Sequence, residues 1–487
     1  MRALIVDLAF FPRYPSLAVG YLTAVLRQAG IEVEAFSPLA VGVASPQREG
    51  VESLKHHLAR HLAFTTRSLL VELRQVLRQV RETRRRHRQR RIIEHLRGSL
   101  QSRPDILLIS TYLERYGLCA DLARLARDRG IPVLVGGPAF RMVPAAEAWC
   151  RIPGVTAVVG GEVEPYLPAL VRDTVRGGDL TVHPGVFLPD GRRGPPAPPL
   201  GDLDAVPVPD FGDFPWGVQP LRVVPLMTAR GCGWNRCTFC TDRLTANAQT
   251  FRSRSLDGVL AELELQASRY GTRNFILLDL SLNSELSVWE GLIEQLPRRL
   301  PGARWVCGVN VGMNGARGLN REHLAAARAA GLMRITTGIE TASTRLLEQM
   351  QRNVDLDTMS RFLHHASQCG VSVRTTLVQG YPGEQSEDLA QTTEFLQRHS
   401  RCIDRVRLNR FEMVLEGTLH QRYKRSREAF PGFTVLGSEP RKATVRYRYE
   451  PAHSRRYRRQ LRHLVHVVHL INRRALHLDD QAFDGLM

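Results

Sequence analysis

Three of the eight cysteines fall within nine residues. Cys232, Cys237 and Cys240 sit in ARGCGWNRCTFCTD (229–242), at C-x4-C-x2-C spacing. Cysteine thiolates are the usual ligands of iron–sulfur clusters, and close spacing lets one loop grip one cluster. Three ligands would leave the fourth iron open. Arg230, Arg236 and nearby backbone N–H groups could offset the negative charge. A structural zinc site would need a fourth ligand. The loop has no histidine, and no second Cys-x2-Cys occurs in the chain. Chance clustering of buried cysteines is the other alternative. Cys119, Cys150, Cys307, Cys369 and Cys402 are isolated, which suits a metal site in a reducing compartment better than a disulfide framework.

Such a loop must be carried by a scaffold. The chain has 487 residues, enough for two or three domains. Strand-like runs at 2–8, 31–37, 105–110, 131–137 and 155–161 alternate with helical periodicity over 15–30, up to Gly130, and near 144–151. This alternation predicts an α/β, doubly wound parallel sheet of Rossmann type over 1–188, with ligands at the carboxyl edge. Residues 50–103 interrupt it. There Arg81, Arg84, Arg85, Arg86, Arg88, Arg90 and Arg91 crowd one helical stretch. That is a solvated insertion, or a docking surface for an acidic peptide, a partner or RNA. A Pro/Gly/Asp-rich linker follows at 189–217. From 218 to 424 six β/α units predict an open, partial barrel. The cysteine loop follows its first strand. The basic extension 425–487 reads as mostly helical.

The formal charge is +19, carried almost wholly by arginine, since Lys55, Lys424 and Lys442 are the only lysines. Arginine usage together with abundant alanine looks like codon bias, which weakens a nucleic-acid reading. No window approaches ~18 consecutive apolar residues, so no membrane partner is expected. The first apolar run contains Asp7 and lacks a small-residue cleavage site, so a buried strand and a cytoplasmic location are expected.

The loop resembles the signature of the radical S-adenosylmethionine (SAM) superfamily, usually C-x3-C-x-Φ-C, with Phe239 at the aromatic position. The extra residue between Cys232 and Cys237 could be absorbed by bulging around Gly231 and Gly233. FILLDLSLN (275–283), ITTGIETASTRLLEQMQRNV (335–354) and VQGYPGE (378–384) resemble later family segments in the same order. The resemblance implies a [4Fe–4S] cluster on the three cysteines and SAM contacts from Phe239, Asp279, Glu340, Gly380 and Pro382. Glu384 could instead only cap the next helix.

PSLAVGYLTAVLRQAGIEVEAF (15–36), STYLERYG (110–117), VLVGGPAF (133–140) and VVGGEVEPYLPAL (158–170) resemble the cobalamin-binding domain that precedes many radical SAM barrels. Carried over, the corrin contacts are Ser16, Leu17, Gly20, Thr111, Tyr112, Gly136, Gly137, Pro138, Gly161 and Glu162. The D-x-H-x-x-G motif that supplies a cobalt-ligating histidine elsewhere is absent; a domain that only scaffolds is the alternative.

Together these resemblances imply a cobalamin-dependent radical SAM enzyme that methylates an unactivated carbon. Its partners would be a small-molecule or peptide substrate and an electron donor such as flavodoxin or ferredoxin. Cyclisation, rearrangement or oxidation without methyl transfer is the rival within the same chemistry. A nucleic-acid-binding protein with a structural metal is the rival outside it. A methylthiotransferase would need a second cysteine trio upstream, where only Cys119 and Cys150 lie.

Overall fold

In the computed structural model the described residues are 1–487 except 12, 45–49, 67, 246–249, 313–316, 477–482, 484 and 487. The side chains of Ser68, Leu69, Arg78, Arg81, Arg84, Arg85 and Arg86 also lie outside the described set.

The first sheet comprises β1 (Arg2–Asp7), β2 (Glu32–Phe36), β3 (Ile106–Ser110), β4 (Val133–Gly136), β5 (Ala157–Val159) and β6 (Val186–Phe187), in spatial order β2-β1-β3-β4-β5-β6. All neighbours are parallel except β5 and β6. Its helices are α1 (Leu17–Gln28), α2 (Leu54–Phe64), α3 (Ser68–Ser99), α4 (Tyr116–Arg127), α5 (Val143–Cys150) and α6 (Leu167–Arg176). Side chains alternate along each strand, so every strand serves two cores. Ile5, Leu108 and Leu134 meet Leu26 of α1 and Leu170 of α6 on one face. Val6, Leu107 and Val133 meet Ile92 of α3, Leu122 of α4 and Trp149 of α5 on the other. The strand order reverses between β1 and β3. In such sheets the crevice outside the carboxyl ends at that point is the usual ligand site.

The second half opens with β7 (Val224–Leu226). The antiparallel ribbon β8 (Ala229–Arg230) and β9 (Arg252–Ser253) then brackets the cysteine loop. Next come β10 (Asn274–Leu277), β11 (Arg304–Gly308), β12 (Leu332–Glu340), β13 (Ser372–Gln379) and β14 (Arg405–Arg410). With β7 they form one six-stranded sheet in sequential order, every neighbour parallel. Helices α7 (Leu256–Tyr270), α8 (Leu286–Arg299), α9 (Arg321–Ala329), α10 (Thr344–Gln349), α11 (Leu356–Gln368) and α12 (Ser386–Arg398) lie between the strands. This is the partial (β/α)6 arrangement.

Between the sheets the Pro/Gly/Asp-rich segment acts as a strap. Arg27 of α1 pairs with Asp210 and Asp213 at 2.7 and 2.9 Å. Farther along, Gln266 of α7 donates to the Pro209 carbonyl at 2.9 Å. The strap therefore ties the first helix of one sheet to the first helix of the other.

The C-terminal region adds β15 (Met413–Val414), α13 (Thr418–Arg425), β16 (Phe433–Glu439), β17 (Thr444–Tyr449) and α14 (Arg455–Asn472). The expected helix is α14; the antiparallel β16–β17 hairpin is additional. In TVRYRY, Val445 and Tyr449 are buried while Arg446 and Arg448 are exposed, the period-2 signature of a half-buried strand. Among the described residues no helix is long and apolar enough to cross a membrane.

Candidate active site

Backbone geometry sets the cysteine loop. Gly231 takes a left-handed φ of 94°, and a Cβ there would lie 2.3 Å from the Thr250 carbonyl oxygen. Asn235, φ 40°, makes the second left-handed turn, in place of the expected Gly233. Asparagine tolerates this region better than most side chains. The loop rests on the residues after α10. The Thr238 N–H donates to the Met350 carbonyl at 2.9 Å, and the Trp234 indole N–H donates to the Gln351 carbonyl at 2.8 Å. The Thr238 hydroxyl lies 2.8 Å from that of Tyr381.

All three cysteines are free and partly buried. Burial pushes the Cys237 and Cys240 thiols up. At Cys237 negative charge on Cys232 and Glu340 adds to this, while Arg352 opposes it. Arg352 thus takes the place expected for Arg230. It also donates to the Asn310 side chain at 3.0 Å and the Gly338 carbonyl at 2.8 Å. Arg230 turns to the first sheet instead and pairs with Glu164 at 2.6 Å. The exposed Arg236 guanidinium lies 5.2 Å from the centre of the Trp234 ring. Among the described residues no three His, Cys, Asp or Glu side chains gather around a single-ion position. Ligands to separate irons of a cluster stand farther apart than ligands to one ion. A donor set of three thiols with one arginine beside it fits an anionic iron–sulfur cluster.

The other sequence-selected residues of this half surround the loop differently. Asp279 is buried and committed. Its Oδ1 accepts from the Thr228 N–H at 3.0 Å, the Thr228 hydroxyl at 2.9 Å and the Ala229 N–H at 2.7 Å. Burial raises its carboxyl to about 6 despite these donors. Asp279 therefore fixes the chain just before the cysteines. Glu340 ends β12 in a left-handed conformation, φ 64°, rare for a residue with a side chain. Its Oε1 accepts from the Thr376 hydroxyl at 3.0 Å. Gly380 has φ 83°, and the space where its Cβ would point is open. Phe239 packs partly buried in a cluster that includes Tyr381, and Pro382 is buried beside it in the chain. Glu384 does not cap the next helix. Gln385 and Asp388 do that, and Glu384 accepts from the Gly380 N–H at 2.7 Å.

Nine of the ten residues singled out in the first half line one cavity of about 360 Å³. They are Ser16, Leu17, Thr111, Tyr112, Gly136, Gly137, Pro138, Gly161 and Glu162. The cavity lies at the carboxyl ends of the first sheet, and Met227, Arg230 and Leu278 of the second half close it. The tenth, Gly20, lies one turn along α1 against the strap, where a Cβ would come within 2.2 Å of Phe211. Glu162 reaches the wall, but its carboxylate is bound by Arg252 at 2.7 and 2.9 Å and by the Leu200 N–H. A desolvated carboxylate needs such donors. Sequence reasoning passed over Glu164, which holds Arg230 beside the cavity and whose buried Oε2 has no hydrogen-bond partner among the described residues. A mostly apolar cavity floored by glycine strand ends fits a flat macrocycle.

Residues 226–396 match the family described as the radical SAM superfamily. An uncharacterized methyltransferase of Pyrococcus horikoshii is 25% identical over 305 residues, 61% of this chain and 64% of that relative. The ribosomal protein uS12 methylthiotransferase RimO of Moorella thermoacetica is 24% identical over 56% of this chain and 60% of its own. The chain thus spans less than two thirds of these relatives. The fold resembles that of TsrM of Kitasatospora setae, a radical SAM methyltransferase solved with cobalamin and a [4Fe–4S] cluster (TM-score 0.64, 16% identity, 96% of this chain and 88% of that one). It also resembles OxsB, a cobalamin-dependent SAM radical enzyme (TM-score 0.67, 16% identity, 91% and 64%). With its cysteine loop and sequential parallel sheet, the segment 226–396 of this chain is a radical SAM domain.

Proposed function

We propose that the protein is a cobalamin-dependent radical SAM methyltransferase acting on an unactivated carbon of a small molecule or peptide. The observation that carries this reading is the shared cavity: the strand ends of the first sheet face Met227, Arg230 and Leu278, close in sequence to the cysteine loop and to Asp279. When bound, the cluster and SAM supply a hydrogen-abstracting radical, and cobalamin supplies the methyl group.

The chain's own residues hold and orient. Cys232, Cys237 and Cys240 are the cluster ligands, and Arg352 offsets charge at Cys237. Glu340 Oε2 is the acceptor for a SAM ribose hydroxyl, Gly380 leaves room for the adenosyl group, and Phe239 and Pro382 flank it. Asp279 acts through Thr228 and Ala229 as a positioning residue. Ser16, Leu17, Thr111, Tyr112, Gly136, Gly137, Pro138 and Gly161 line the corrin site, and the stacked Phe11 and Tyr14 rings help exclude water. Glu164 holds Arg230 at the cavity wall, and Glu162 braces the wall through Arg252. A flavodoxin- or ferredoxin-type donor supplies electrons in a reducing cytoplasm, where free thiols persist.

Methylthio transfer, suggested by the RimO relatives, is disfavoured by the upstream cysteines. Cys119 and Cys150 are 0% and 3% exposed in the hydrophobic core.

Anaerobic reconstitution with iron, sulfide and hydroxocobalamin tests the proposal. Stoichiometric corrinoid should survive gel filtration, and dithionite with SAM should yield 5′-deoxyadenosine. Full SAM cleavage with no retained corrinoid would leave only the rival of radical chemistry without methyl transfer.

A further inference from the structure

The arginine-rich insertion is not a uniformly solvated helix. The C-terminal third of α3 is anchored: Ile92 and Leu96 are buried in the core of the first sheet. Its N-terminal part projects, with Leu70, Leu73, Leu77 and Val80 exposed at 38, 47, 37 and 45%. Their spacing of three, four and three residues is the a/d rhythm of a coiled-coil seam. Val76, 55% exposed, widens the row. Single exposed apolar residues are ordinary; a row along one helix is an unpaired interface.

We infer that this row is a docking seam for an acidic amphipathic helix of another protein. The charge selects the occupant. Residues 68–99 carry ten arginines against three glutamates. A second copy of α3 would bring two such helices together against their repulsion. A helix with leucines facing the row and glutamates beside them would satisfy both features, in the helix-to-helix mode of zippers. The leucine row favours protein over RNA, which offers α3 no apolar partner surface. A membrane-surface helix segregates apolar and polar faces along its length, whereas α3, among its described side chains, exposes large apolar ones only over residues 70–80. This inference does not depend on the chemistry proposed for the cavity.

The test uses the full chain and a fluorescein-labelled 21-residue peptide, leucine at a and d and glutamate at e and g. The controls are a scrambled peptide of the same composition, a poly(U) oligomer, and phosphatidylcholine/phosphatidylglycerol vesicles. The patterned peptide should bind at least tenfold tighter than the scrambled one, and Leu73→Ser/Leu77→Ser should abolish that difference. Because both leucines are exposed, the variant should keep the wild-type circular dichroism and melting temperature. Equal binding of the two peptides, or a patterned-peptide affinity untouched by the variant, would overturn the inference. Tighter, variant-sensitive binding to vesicles or poly(U) would also overturn it. So would a dimer in sedimentation that the variant dissolves.

Discussion

Glu384 and Tyr457 join the carboxyl end of β13 to the C-terminal helix. The Tyr457 hydroxyl donates to Glu384 Oε2, the same oxygen that accepts from the Gly380 N–H. The Tyr457 hydroxyl in turn accepts from the Gln379 side-chain N–H at 2.6 Å. A helix outside the barrel thereby holds the turn assigned to SAM.

Replacing Tyr457 with Phe removes two hydrogen bonds and leaves buried polar groups on Gln379 and Glu384. The expected loss is roughly 1–3 kcal/mol in urea unfolding. Equilibrium dialysis should also show weaker SAM binding, because the Gly380 turn loses its brace. Unchanged SAM affinity would make α14 structural only.

Glu384 makes stability depend on pH. Burial raises its carboxyl from the ordinary 4.5 to about 7. Between those values the folded chain holds a proton that the unfolded chain has released. Stability from this group is therefore full below about pH 4.5 and falls as pH rises through about 7. Glu384→Gln lacks the proton exchange. The wild-type stability relative to Glu384→Gln should fall by roughly 3 kcal/mol from pH 4.5 to 8. A flat difference across that range would contradict the assignment.

Arg252 and Glu162 form a pair that is 12% and 6% exposed at the side chains. Arg252→Ala removes two charge-assisted bonds and leaves Glu162 with the Leu200 N–H and Arg230 at 3.6 Å, and should cost about 1.5–3 kcal/mol. Arg252→Ala/Glu162→Gln should recover much of that loss, and hydroxocobalamin binding with it. A double variant no better than the single would show that packing, not charge, sets the cost.

Asp279→Ala should leave the Thr228 and Ala229 N–H groups unpaired and loosen the approach to Cys232. Iron content after anaerobic reconstitution should fall severalfold while the circular dichroism stays that of a folded chain. Wild-type iron content would show that the loop keeps its shape without Asp279.

Much of this architecture was legible because strand alternation and glycine-ended strands are local signals. The six barrel strands needed only periodicity; the Ser16–Leu17, Thr111–Tyr112 and Gly136–Pro138 segments came from the family resemblance, and the fold brings them to one cavity. Orientation was not local. Gly20 follows Ser16 by one turn, yet the strap covers it. Glu162 and Asp279 carry the expected carboxylates, but donors from Arg252, Thr228 and Ala229, distant in sequence, claim them. Arg352 stood inside the segment 335–354, and only the fold brings it to Cys237. The β16–β17 hairpin was masked by the arginines alternating with its tyrosines.

The cysteine loop carries the central claim, and one measurement reaches it. Wild-type and Cys232→Ala/Cys237→Ala/Cys240→Ala proteins are reconstituted without oxygen, assayed for iron, and given SAM and dithionite. Wild-type protein should hold about four irons per chain and release 5′-deoxyadenosine, and the triple variant should do neither. 5′-Deoxyadenosine from the triple variant, or zinc alone in the wild type, would contradict the account.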